Sequence, residues 1–371
     1  MSESAARFTA LDIFRGMTVC FMIIVNSPGD WSVAYAPLLH ANWHGFTPTD
    51  LVFPSFLFAV GNAMAFSMLK FEGQSSSAFW KKTLKRSALI FLLGFLMYWY
   101  PFYDFSAGQW KPLDSLRIPG VLQRIALCFL FASIIIYYGG RKLAIGFSVF
   151  ALFAYWLLAF AFGEGNDPYA LTTNAGLRLD LFLLGPKHLY NGEGIPFDPE
   201  GLLSTLPAIV NVLIGYLAGD FIRRGGMSYE VLAKLMIAGA VLLFGAYCWD
   251  MYFPINKKLW TSSFVLMTCG LDLLILPVII YVVNMLRITR WSYFFEVFGR
   301  NPLFIYLLSE ILMITAGLVI INGKNIQENL FLSFSSMMSP KNASLAFALL
   351  IMFTCWLTGW LLDKKKIYIR V

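Results

Sequence analysis

Runs of about twenty apolar residues recur along the whole chain, and that is the length a helix needs to cross the hydrocarbon core of a bilayer. They read near 9–27, 51–69, 87–103, 119–138, 143–163, 202–222, 229–250, 262–286, 301–322 and 343–362. Of the 371 residues, 58% are hydrophobic and only 13% charged, too little polar material to cover a water-soluble globule. The expected fold is all-α, a polytopic membrane helix bundle of about ten transmembrane helices. The first run begins with Asp12 and Arg15 and has no small-residue cleavage site after it, so it reads as a retained helix and not a signal peptide.

Orientation follows from where the basic residues fall between the runs. The N-terminus, the segments 70–86, 139–142, 223–228 and 287–300, and the tail after 362 carry seventeen Lys and Arg; the alternate segments carry eight, and Arg15, Arg124 and Lys234 lie within runs. Both termini are therefore expected on the cytoplasmic side. The segment 28–50, which has no Lys or Arg, is expected to face outward. This asymmetry accounts for the net charge of +7, so no nucleic-acid partner is implied. The five cysteines show no CxxC spacing, and neither a disulfide nor a metal is expected.

No linker or repeat divides the chain, and residues 1–371 read as one domain with a long outward loop at about 164–201. A loop of that length is more often functional than decorative. Tyr and Trp gather near run ends, as interfacial anchors do.

The chemistry-bearing residues are few. Two of three histidines, His40 and His44, precede Asp50 in a short polar loop between the first two runs. A carboxylate beside an imidazole fixes its tautomer and supports its cationic form, the arrangement of a general base with its orienter. Asn26, at the outer end of the first run, can offer an amide N–H to a developing oxyanion. Inside runs, ionisable groups are functional candidates by default: Asp12 and Arg15 share a helical face, Arg124 sits in the fourth run, and Asp272 and Glu310 lie deeper, where spacing does not assign their partners.

Leu11-Asp12-Ile-Phe-Arg15-Gly16, Val25-Asn26, His40-Ala-Asn-Trp43, Gly45, Asp50-Leu-Val-Phe-Pro54, Leu116-Arg117-Ile-Pro-Gly-Val-Leu-Gln-Arg124, Leu183-Leu-Gly185, His188-Leu-Tyr190, Asp198-Pro-Glu-Gly201, Ile255-Asn256-Lys257 and Leu259-Trp260 together resemble the heparan-alpha-glucosaminide N-acetyltransferase family. The resemblance runs in order from about residue 7 to residue 362. It implies transfer of an acetyl group from cytoplasmic acetyl-CoA to the amine of a glucosamine across the membrane, with no metal. It places His40, Asp50 and Asn26 in the catalytic role. The family's lysosomal form has Asn where His44 stands, which argues against His44 as the base, and a glycine run where Ser27-Pro28-Gly29-Asp30 stands. The chain has no counterpart of the animal enzyme's luminal N-terminal domain and extra span, so a bacterial inner membrane and a small acceptor are expected.

A cytoplasmic donor delivering its thioester to the outer side must thread into the bundle, with its phosphates on cations of the cytoplasmic half. Arg15 is the first choice and Arg124 the second, with Lys82, Lys85 and Arg86 as weaker ones. The acceptor is expected to meet Asp180, His188, Asp198 and Glu200 of the long loop. Acetyl-CoA, an amino sugar and the lipid bilayer are the expected partners, with a homodimer left open. An amino-sugar transporter and a membrane O-acetyltransferase acting on surface polysaccharide are the competing readings.

Overall fold

A computed structural model describes residues 9–71, 73–104 and 107–369, and the apolar runs in it are helices. In chain order these are α1 (Thr9–Asn26), α2 (Pro48–Ser67), α3 (Ser76–Trp99), α4 (Val121–Phe162), α5 (Ala175–Leu183), α6 (Thr205–Gly225), α7 (Tyr229–Asp250), α8 (Ser262–Ile280), α9 (Ser292–Arg300), α10 (Pro302–Leu318), α11 (Ile326–Ser335) and α12 (Pro340–Lys364). Among the described residues, sheet is limited to two small antiparallel pairs, Tyr103–Asp104 with Gln109–Trp110 and Ile320–Ile321 with Lys324–Asn325. Helix starts follow local chemistry. Asn174, Ser228 and Asn325 accept the N–H three residues on, and Pro302 and Pro340 occupy the first turn, where no N–H is needed.

Among the described residues, seven helices are long and apolar enough to cross a membrane, or eight if the bent pair α9–α10 is one span. The protein is a multi-pass membrane protein. The count differs from ten for physical reasons. α3 carries Lys81, Lys82, Lys85 and Arg86 in its first half, which removes it from the plainly apolar set. The runs 119–138 and 143–163 are joined in the 42 residues of α4, interrupted only where Gly140 leaves helical angles (φ 53°, ψ −146°). The 301–322 run turns 86° from α9 at Asn301, whose non-helical backbone precedes Pro302, as the steric demand of proline requires.

The chain forms two compact units. Of the described residues, the first holds 9–40, Thr47–Phe56 and 275–369. Within it, α1 lies directly on α9: a Cβ at Gly16 would stand 1.8 Å from the Phe295 carbonyl oxygen, and one at Gly299 would stand 2.1 Å from that of Asp12. Lipid tails give helices no hydrophobic reason to associate, so such bare-backbone contacts are how they pack closely. The loop after α1 is fastened to α12, with Gly29 N–H donating to Ser344 O and the Ser344 hydroxyl to Asp30 O.

The second unit holds Ala41–Phe46 and Leu57–Leu274. Here α2 and α6 meet through Gly61 and Gly215, whose added Cβ atoms would stand 1.9 Å from Val212 O and 2.1 Å from Phe58 O. Gly239 and Gly270 bring α7 and α8 together in the same reciprocal way. The long loop is not irregular throughout, since it contains α5.

Candidate active site

His40 and Asp50 meet in the first unit. Pro48 and Thr49 open α2, so Asp50 occupies its third position, where a side chain reaches back to the residue before the helix. Asp50 Oδ2 accepts the Thr47 N–H at 2.9 Å, and the Thr47 hydroxyl, which donates to Leu39 O at 2.7 Å, stands 3.1 Å from the same oxygen. That leaves Oδ1 on His40 Nδ1, at 2.6 Å. Thr49 ties the same turn to the preceding loop by donating to Pro37 O at 2.9 Å. The Asp50 side chain is fully buried while that of His40 is one-third exposed, so the ring has a fixed, dry partner and stays partly accessible. With Nδ1–H donated to the carboxylate, the basic lone pair of a neutral ring is on Nε2.

Asn26 lies beside Glu310, as does Tyr306. Arg15 is built into the α1–α9 contact. Its Nη2 donates to Asp12 Oδ1 at 2.8 Å and to Gly299 O, and its Nε donates to Gly299 O at 3.1 Å, a cation at the end of α9 where the helix dipole is negative. Also in this unit, a cleft of about 290 Å³ runs along α1 from Phe14 through Thr18 and Phe21 to Val25. It is closed on the other side by Leu38 and by the first turns of α2 at Pro48 and Thr49.

In the second unit the residues read as acceptor-binding form a frame. Arg117 grips Asp198 with two bonds, at 2.8 and 2.7 Å, and Glu200 with a third at 2.7 Å. Its guanidinium also lies over the Tyr98 and Tyr190 rings. Burial opposes the Arg117 charge, but Asp198, Tyr98 and Glu200 outweigh it and hold its pKa above the ordinary range. Burial likewise pushes Glu200 up, and Arg117, Lys257 and Arg124 outweigh that, so this carboxyl titrates below its usual range. Asp180 accepts the Leu202 N–H at 2.9 Å, and its burial pushes it up to about 7. His188 Nδ1 lies 2.7 Å from Leu116 O. These four residues join the long loop to the segment before α4 and to its own continuation toward α6.

Arg124 is 1% exposed and stands over the Trp260 ring, donating through Nη2 to Gly201 O at 3.0 Å and to the Ser204 hydroxyl. Its Nε and Nη1 have no hydrogen-bond partner. Lys234 pairs with Glu230 on its own helix. Lys82 lies over the Phe71 ring and Arg86 over Phe129. His44 belongs to the second unit, its Nδ1 3.3 Å from Asn256 Nδ2. Partial burial lowers its pKa against the opposing pull of Asp167 and Asp250.

Thr47, Arg117, Asn256 and Glu310 are the residues whose site roles the sequence reading lacks. Thr47 alone has a local signal, its position three residues before Asp50 at a helix start. The family model described as heparan-alpha-glucosaminide N-acetyltransferase, catalytic, matches residues 7–254. The chain belongs to that family.

Two curated heparan-alpha-glucosaminide N-acetyltransferases are similar to it. The one from Mus musculus is 27% identical over 364 residues, covering 84% of this chain and 54% of its own length; the one from Homo sapiens is 26% identical with the same coverage. The chain thus spans about half the length of the curated relatives it matches. The family match takes in His40, Asp50, Arg117 and Arg124, whereas Glu310 and all of α9–α12 lie beyond it.

Proposed function

We propose that the protein is a transmembrane N-acetyltransferase that moves an acetyl group from cytoplasmic acetyl-CoA to the amine of glucosamine or a related amino sugar on the opposite face. Family membership supports the reaction class, and the observation that carries the reading is the His40–Asp50 pair at 2.6 Å. An amino sugar is largely protonated at neutral pH and must lose a proton before it attacks. His40 Nε2 takes that proton, and Asp50 stabilises the imidazolium that results. The amine nitrogen then bonds to the thioester carbon, the C–S bond breaks, the proton held by His40 passes to the departing CoA sulfur, and the second proton that the nitrogen sheds on becoming an amide leaves to solvent. Asn26, its amide oriented by Glu310, donates an N–H to the thioester oxygen, a contribution of roughly 3 kcal/mol in comparable sites.

Alternatively the acetyl group rests on His40 Nε2 before the sugar attacks. Exchange of label between acetyl-CoA and free CoA in the absence of sugar reports that two-step route; no exchange with intact transfer reports the direct one. In reconstituted vesicles, His40→Ala is expected to abolish transfer of labelled acetyl to glucosamine. Full activity in that variant overturns the assignment.

Asp180, His188, Asp198 and Glu200 serve acceptor binding by shaping the outward loop. The membrane path that fits this chemistry has ten crossings. α3 adds one, α4 crosses twice with its turn at Gly140, and α9–α10 together form one bent crossing. Both termini are then cytoplasmic, as the distribution of Lys and Arg requires.

A further inference from the structure

Parts of the basic segments 70–86, 139–142 and 223–228 converge on one cavity of about 300 Å³ in the second unit. Met68 and Phe71, Tyr137 and Arg141, and Arg223 and Arg224 are among its lining residues. Three guanidinium groups gather there around a single carboxylate. Asp220, 1% exposed, accepts from Arg223 Nη2 at 2.6 Å and from Arg224 Nε at 3.1 Å, and Arg141 Nε stands 3.7 Å away. One carboxylate offsets one of three positive charges, so the cavity keeps two in excess. Arg223 Nε is buried there without a hydrogen-bond partner, a costly state for an N–H unless something accepts from it. The helical path of α4 also restarts at Arg141 after the break at Gly140, and both residues line the cavity. The positive end of that helical segment adds to the field.

Arginines in excess, with fork-shaped donor sets, are the groups that recognise phosphate. We infer that this cavity binds phosphate carried on a larger ligand, and that the ligand is the phosphorylated nucleotide end of the acyl-CoA donor. The second half of that inference rests on the acetyltransferase reading. The volume is at the small end for ligand sites, enough for a phosphorylated fragment and too little for the whole donor. The same chemistry is available from the phosphate headgroup of an inner-leaflet lipid, and the test separates the two.

The test uses the full chain in nanodiscs of phosphatidylcholine alone, with dissociation constants measured for CoA and for adenosine 3′,5′-bisphosphate. Arg141 and Arg224 are about half exposed, so Arg141→Gln and Arg224→Gln leave the fold in place, as melting temperatures will verify. Each is expected to weaken CoA binding about tenfold and to raise the KM for acetyl-CoA while kcat holds. Arg141→Lys should recover part of the loss, and Asp220→Asn should bind at least as tightly as wild type. Unchanged CoA affinity in both arginine variants overturns the site. If the arginine variants lose only affinity for vesicles containing phosphatidylglycerol, the ligand is lipid and the nucleotide assignment falls. If wild type transfers acetyl and the variants keep their KM, this site alone fails; if wild type neither binds CoA nor transfers acetyl, the acetyltransferase reading fails with it.

Discussion

Thr47 donates its backbone N–H to one oxygen of Asp50, which commits the other oxygen to His40. An amide at position 50 cannot do both. With its oxygen kept on Thr47, the amide of an Asp50→Asn variant turns its NH2 to His40 Nδ1 and forces the ring proton onto Nε2, where it blocks the basic lone pair. Asp50→Asn is therefore expected to lower transfer by about 10²–10⁴-fold, with little change in melting temperature because the amide oxygen keeps the Thr47 N–H. Rates in proteoliposomes set beside melting temperatures check this, and a folded, fully active variant removes Asp50 from the role.

His44 is expected to matter far less. Asn256 Oδ1 accepts the Leu259 N–H at 2.8 Å, which turns its NH2 toward His44 Nδ1 and leaves the ring proton on Nε2. Such a ring donates and does not abstract. Replacing His44 with Asn should cost less than about tenfold in kcat/KM, against near-complete loss for His40→Asn. Equal losses at the two positions would contradict the division of roles.

Asp180 gives the stability of the second unit a pH dependence of definite sign. Its folded pKa of about 7 lies above the ordinary 3.8, so the folded state holds its proton more tightly than the unfolded chain. Stability contributed by the neutral form is complete below about 3.8 and declines as pH rises to about 7, by roughly 1.4 kcal/mol per unit. Thermal melts of wild type and Asp180→Asn between pH 5 and 8 should differ in slope, the variant being flatter. Parallel curves would show that Asp180 is ionised throughout.

Arg117 holds two buried carboxylates, so truncating it leaves both without their principal partner. Arg117→Gln should destabilise by about 3–5 kcal/mol. Arg117→Lys should rescue only part of this, because a single ammonium cannot reproduce the paired bonds to Asp198. Detergent melts of the three proteins decide the matter; equal stability of the Gln and Lys variants would mean that geometry is not what the site requires.

Gly61 tests the packing of α2 on α6. An added methyl would overlap the Val212 carbonyl, a backbone atom that cannot swing aside. Gly61→Ala should lower the melting temperature markedly, while Ala at Gly146, which has open space around it, should not. The reverse order would refute the close approach.

Most crossings are readable in the sequence because hydrocarbon thickness sets their length, and α1, α2, α6, α7, α8 and α12 follow their apolar runs. α5 is hidden in a polar loop because nine residues begun by an Asn cap leave only a short periodic trace. The break in α4, by contrast, is legible, since the two apolar runs are separated at Gly139-Gly140-Arg141-Lys142 and the helical angles fail at Gly140. At the site, His40 and Asp50 are ten residues apart, and the return of their loop to one surface brings them within reach. The anchoring of Arg15 on Gly299, 284 positions away, has no local signature. The same holds for Asn26 with Glu310, and for Asp220, whose arginines at +3 and +4 look like ordinary loop charge until the cavity joins Arg141 to them.

The bare contact of Gly16 with α9 constrains movement as well as packing. With no side chain interposed there, α1 cannot slide or roll on α9 without driving one backbone into another. The wall of the cleft from Phe14 to Val25 is in that sense a fixed jaw. Any breathing that admits a ligand to the cleft must come from the opposite lip, at Leu38 and the opening turns of α2, where the imidazole and its carboxylate are fastened.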